Sequence, residues 1–119
     1  MRSCPRQAFN MQRHDRIRLQ HMLDATKEAL EFVRGKRRSD LDTDRMLVLS
    51  LVKELEIIGE AAGKVSTEIR SQYSAIPWQD ISGMRNRLIH AYFDIDLDVV
   101  WTTVARDLPL LKIELEKVL

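Results

Sequence analysis

The chain has 119 residues, 45% hydrophobic and 31% charged, with 4 Gly, 3 Pro and one Cys. That content suits one globular domain, is too apolar for a disordered chain and holds too few turn residues for a β-sandwich or barrel, so an all-α fold is predicted. The formal net charge of +1 points neither toward nor away from nucleic acid, and the longest apolar stretch, Met46 to Val52 broken by Ser50, is far too short to span a membrane.

Residues 1–12 read as a loose leader, with Met11 an alternative start, and 13–119 as the domain. No apolar run near the N-terminus forms a secretory signal, and Cys4 has no second cysteine for a disulfide or a metal knuckle, which favours a reducing, cytoplasmic setting. A first helix is predicted from Asp15 to Val33, where Ile17, Leu19, Met22, Leu23, Ala25, Ala29, Leu30 and Val33 recur mostly every three or four residues; Gly35 ends it. Charge is polarised along the chain, with ten Lys/Arg against four Asp/Glu in residues 1–38 and nine against fourteen in 39–119. The densest cluster, Arg34, Lys36, Arg37 and Arg38, suits either a phosphate contact or a solvated loop whose cations complement a helix C-terminus, and the loop is the better reading.

Ser39 to Asp44 offers N-caps for a second helix, which a broad stripe through Val48, Leu51, Val52, Leu55, Ile58, Ala62 and Val65 carries from Met46 to Ile69. Gly59 and Gly63 lie on one ridge of it, where missing side chains admit a close neighbour or a bend. Tyr73 to Pro77 reads as a linker, and a third helix is predicted from Trp78 to Tyr92. Any of Asp94, Asp96 and Asp98 can cap a fourth, from Leu97 to Val118, bent at Pro109. Four helices with short connections predict an antiparallel, up-and-down four-helix bundle.

Most chemical motifs fail on inspection. The alternating aspartates lack the Gly and Glu of a calcium loop, having Val99 and Ala105 there, and His14 and His21 stand two turns apart, so no metal site or cofactor is expected. Ser66 and Ser82 have no nucleophile elbow, and no phosphate-cradling glycine motif occurs. What remains is Met84 to Tyr92. On a continuous helix Ile81, Met84, Leu88 and Ala91 form the buried stripe, Asn86 and His90 stand together on the polar side, and Arg85 lies beside Tyr92, while Arg87 points away. An Arg and a His near a helix end are usually surface residues; the chemistry that would suit them is phosphodiester cleavage by attack of a ribose 2′-hydroxyl. That reaction needs a base, an acid and a cation for the phosphoryl oxygens. One such histidine per chain calls for a two-fold dimer that brings two copies to a shared cleft.

Arg85, His90 and Tyr92, spaced as Arg, four residues, His, one residue, Tyr, resemble the mark of the HepT-like toxins of the HEPN superfamily. The resemblance runs from about residue 12 to the C-terminus, through Arg13-His-Asp-Arg-Ile-Arg18, Asp42-Thr-Asp-Arg45, Glu56-Ile-Ile-Gly-Glu-Ala61, Ile76-Pro-Trp78 and Phe93-Asp-Ile-Asp-Leu-Asp98. It implies an all-α, dimeric, metal-independent endoribonuclease, the toxin of a bacterial type VII toxin-antitoxin pair, with RNA as substrate. Its partner would be a minimal nucleotidyltransferase antitoxin of the MntA type that transfers AMP to Tyr92 and so blocks the RNA site. It further implies Arg85 as phosphate and transition-state contact and His90 as acid/base, with Asn86 as a positioning group. The competing expectation is a non-catalytic helical partner of that nucleotidyltransferase. Glu60 either holds an arginine across the bundle or is solvated, and Trp78, Phe93 and Trp101 are expected in core or dimer packing.

Overall fold

The computed structural model describes residues 11–91 and 94–119. Its first helix, α1 (Arg13–Phe32), buries Leu19, Met22, Leu23, Ala25 and Ala29, the expected stripe. The chain leaves it through Gly35, whose φ of 73° lies in the left-handed region that favours glycine. A 3₁₀ turn (Arg38–Asp42) leads to α2 (Arg45–Gly63), which starts where the Asp44 carboxylate accepts the Leu47 N–H at 3.0 Å.

α2 is shorter than its apolar stripe suggests. It stops at Gly63, and Ser66 starts a separate helix, α3 (Thr67–Gln72), by accepting the Ile69 N–H. Asp15, at the start of α1 and 1% exposed, accepts from the Ser66 N–H at 2.8 Å and the Ser66 hydroxyl at 2.7 Å. The start of α1 therefore lies beside the end of α2, and the two long helices run antiparallel. A carboxylate is tolerated at that depth because two donors converge on it.

The third predicted helix is where the fold departs most from its pattern. Instead of one helix from Trp78 to Tyr92 there are two short ones, α4 (Trp78–Ser82) and α5 (Met84–Leu88), followed by extended chain in β1 (Ile89–Ala91). Gly83 forms the break, its N–H bonding back to Gln79 O at 2.9 Å. α5 ends because the β-branched Ile89 adopts extended backbone and because the Leu88 carbonyl, free at the helix end, accepts the Asp96 N–H at 2.7 Å. β1 pairs antiparallel with β2 (Asp94–Ile95), Ile89 opposite Ile95 and Ala91 opposite Asp94. The register shifts between Ile89 and Ala91, so His90 is the extra backbone residue of a bulge. The protein is mostly helical, with this one two-stranded ladder among the described residues.

Asp96 caps α6 (Leu97–Thr102) by accepting the Val99 N–H at 3.1 Å. The helical path continues to Val118 as expected, but the irregularity precedes Pro109: residues Thr103–Asp107 form a wide π turn before α7 (Leu108–Val118). Proline lacks an N–H and its ring crowds the preceding turn, which the wider turn accommodates. α7 packs against α1, α4 and α5 pack against α2, and α6 against α5. Leu19, Leu51, Leu55, Ile58, Leu88 and Leu115, all essentially inaccessible, join these elements in one core, each side chain contributing about 1.5–3 kcal/mol by burial. No helix among the described residues is long and apolar enough to cross a membrane.

Glu54 on α2 is 4% exposed, and its Oε2 has no hydrogen-bond partner among the described residues. Burial, then the hydrogen bond and charge of Glu28, push its carboxyl up from 4.5 to about 7. The folded state thus binds this proton more tightly than the unfolded one. Stability falls as pH rises from about 4.5 to about 7 and stays reduced above that. Glu54→Gln should remove this slope, making the variant more stable than wild type at pH 8 by on the order of 1–3 kcal/mol, with the gap closing toward pH 4.5. Urea midpoints across that range check this, and curves parallel for the two proteins would contradict it.

Candidate functional site

Arg85, Asn86 and Arg87 occupy a helix little more than one turn long, whose position against α2 depends on a glycine. A Cβ on Gly59 would meet the Ile81 carbonyl oxygen at 3.0 Å, and one on Gly63 would meet Ser82 Cβ at 3.9 Å. The expected close approach is therefore made by α4, and α5 follows directly from it. Trp78 is buried on the inner side of α4, its indole N–H donating to the Tyr73 carbonyl at 3.1 Å, while Trp101 is half-buried against the core.

This docking sets Arg85 across from α2. The Arg85 Nε–H donates to Glu56 Oε2 at 2.9 Å. The arginine side chain is 67% exposed and the glutamate 29%, so the guanidinium sits at the surface, tethered at one nitrogen. Among the described residues its two Nη groups make no hydrogen bond or ion pair, leaving the forked end open to an anion such as a phosphate. Glu60, the other candidate on α2 for such a pairing, is exposed, and the carboxylate one turn earlier makes the contact.

Asn86 is exposed. Arg87 points away from Arg85, as the wheel predicts: it comes within 3.9 Å of Asp80 and lines a groove of about 620 Å³ between α4–α5 and α6–α7, floored by Ile81, Met84, Leu108 and Leu111. His90 follows in β1, five residues after Arg85, with its side chain outside the described residues, as Tyr92 and Phe93 are entirely. The helical wheel does not relate Arg85 and Asn86 to His90 and Tyr92, because the helix ends at Leu88. The backbone links them differently: the Ile89 N–H bonds to the Arg85 carbonyl, and the ladder with β2 turns the chain at the end of α5.

Other polar groups singled out by sequence have structural partners. Ser82 donates to the Trp78 carbonyl at 2.9 Å, and Ser66 is the α3 cap. In the basic cluster, Arg34 pairs with Glu31 at 2.8 Å, whereas Arg38 donates to Asp98 at 2.7 Å and Asp42 at 3.0 Å, joining the 3₁₀ turn to the start of α6. These carboxylates, Asp98 first, raise the Arg38 pKa above its already high usual value. His14 lies 3.7 Å from Asp15, and no group of three or more potential metal ligands occurs among the described residues.

The chain is similar to known proteins along most of its length. A family model described as ribonuclease HepT-like matches residues 22–118. A protein of Caldanaerobacter subterraneus named as a candidate RNase is 36% identical over 101 residues, covering 85% of this chain and 90% of its own. One of Thermococcus cleftensis with the name "Probable ribonuclease HepT" is 36% identical over 107 residues, covering 90% and 97%. A Methanocaldococcus jannaschii protein, named as a gamma-glutamylcyclotransferase and candidate RNase, is 35% identical over 109 residues; the match spans 92% of this chain but about half (49%) of that protein. No solved structure matches.

Proposed function

The chain belongs to the ribonuclease HepT-like family, and on that premise we propose that it is a toxin endoribonuclease that cuts RNA without a metal ion, using Arg85 and His90 with Asn86 as a positioning group. The observation that carries the reading is the exposed Arg85 guanidinium, tethered at Nε with its fork open, in the short segment that also contains His90. In the reaction, the ribose 2′-oxygen attacks phosphorus as its proton passes to one imidazole. The O5′ bond breaks and the leaving oxygen takes a proton from a second imidazole, giving a 2′,3′-cyclic phosphate and a 5′-hydroxyl. Arg85 holds the non-bridging oxygens, where charge builds in the transition state.

Acid and base come from two subunits of a homodimer, each an antiparallel bundle of the four-helix HEPN type. Met46 and Leu49 support this, being 79% and 47% exposed and spaced with Glu56 along one stripe of α2, so that the apolar surface lies on the helix face that meets Arg85. A second copy seated there would bring the two Arg85 side chains toward one cleft. Inhibition belongs to a minimal nucleotidyltransferase antitoxin, the other half of a type VII toxin-antitoxin pair, which adds AMP to Tyr92. Each added phosphodiester would bring negative charge and bulk to the residue two positions beyond His90, which opposes the approach of RNA phosphate. The working site is the cytoplasm, with no membrane partner.

Unmodified protein of verified intact mass should cleave a labelled single-stranded RNA in excess EDTA, and His90→Ala should lose this by at least about a hundredfold. Equal activity in the two proteins would refute the role of His90, and inactivity of the wild type on varied RNAs would favour a non-catalytic partner of the nucleotidyltransferase. The double substitution Met46→Asp, Leu49→Asp should yield a folded monomer without cleavage, read by sedimentation and circular dichroism; a dimer of wild-type stability would exclude this face. Co-expression with an active nucleotidyltransferase should add mass in AMP steps to the wild type and none to Tyr92→Phe, whereas labelling of the phenylalanine variant would exclude Tyr92 as acceptor.

A further inference from the structure

The geometry points to Glu56 as the residue that positions Arg85 for turnover, a role that rests on the nuclease reading above. An arginine side chain at 67% exposure ordinarily samples many rotamers, and a guanidinium acts on a phosphoryl group only when its fork is aimed at the oxygens. Glu56 takes the Nε–H at 2.9 Å and, among the described residues, no other N–H of Arg85. Pairing at that edge orients the planar group while leaving both Nη groups for the two parallel bonds a phosphate accepts.

Glu56 is well suited to hold that direction. It projects from the middle of α2 and is more shielded than the arginine it holds. The separation of α2 from α4 is set three residues further on, where Gly59 admits the Ile81 carbonyl. As a surface ion pair it contributes little to folding, so its effect is on the direction of the guanidinium. Its negative charge also opposes RNA, so a role in substrate attraction is excluded by sign: removing Glu56 leaves RNA binding equal or tighter while slowing the chemical step.

That split separates orientation from scaffolding. In EDTA, with a labelled mixed-sequence single-stranded RNA, Glu56→Ala should lower kcat about tenfold to a hundredfold with KM unchanged or reduced. Glu56→Gln, which keeps a neutral acceptor, should fall between it and wild type, and Glu60→Ala, one turn along α2, should match wild type. Thermal midpoints should stay together, and the isosteric glutamine variant preserves the test if the alanine variant is poorly folded. Nitrogen-15 spectra should show a protected Arg85 Nε–H resonance in the wild type that is lost in Glu56→Ala. Unchanged kcat in both Glu56 variants, or a raised KM at unchanged kcat, would overturn the inference. If the wild type cleaves no RNA, the nuclease reading itself fails, and the resonance separately reports whether Glu56 holds the guanidinium.

Discussion

The close seating of α4 on α2 is the constraint on which the rest of this surface depends. It exists because Gly59 has no side chain: a Cβ there would stand 3.0 Å from the Ile81 carbonyl oxygen, tighter than an ordinary contact. A backbone carbonyl cannot turn aside as a flexible side chain can, so a larger residue at position 59 would have to displace the backbone of α4. The packing of Ile58, Ile81, Met84 and Leu88 in the core holds the arrangement from within. Arg85 then meets Glu56 because both positions are carried on elements already fixed by apolar contacts, and a weak surface ion pair acquires a defined direction.

The break in the third helical segment has the larger functional consequence. A helix continued through Tyr92 would carry all three residues on one rigid element, with Arg85 beside Tyr92 and His90 beside Asn86. Instead α5 stops at Leu88 and the chain turns through a two-stranded ladder, with a bulge at His90. Bulges re-aim side chains and are common next to active sites. On the proposed reading, the arginine is held by the helical frame and the histidine is carried by the hairpin, so the two groups are supported by different parts of the fold. Asp96 ties these parts together: its N–H closes the end of α5 and its carboxylate starts α6.

Much of this was legible in the sequence. The apolar spacing located α1 to within two residues, Gly35 marked its end, and the Gly59–Gly63 ridge announced a close neighbour. The family followed from Arg85, His90, Tyr92 and the segments around them, and the similarity of most of the chain to ribonuclease HepT-like proteins bears it out. Periodicity failed where two structures share one pattern. Ile81, Met84, Leu88 and Ala91 keep helical spacing whether or not Gly83 interrupts the helix and Ile89 leaves it, because the break is decided by a hydrogen bond from Asp96, eight residues beyond Leu88. The choice between Glu56 and Glu60 was equally hidden, since both belong to α2 and only the offset of α5 selects one. Asp15 gave no sign of burial, as an acidic residue in a first turn is ordinarily a solvated complement to the helix dipole.

The segment from Arg85 to His90 is assigned the cleavage of RNA by its own 2′-oxygen. Mass spectrometry of the ends left on a defined RNA, cut by the purified protein in excess EDTA, tests it most directly. Attack by the neighbouring 2′-oxygen predicts 2′,3′-cyclic phosphate and 5′-hydroxyl ends. Products with 3′-hydroxyl and 5′-phosphate ends would mean that water attacks phosphorus instead, and would contradict the mechanism assigned to this site.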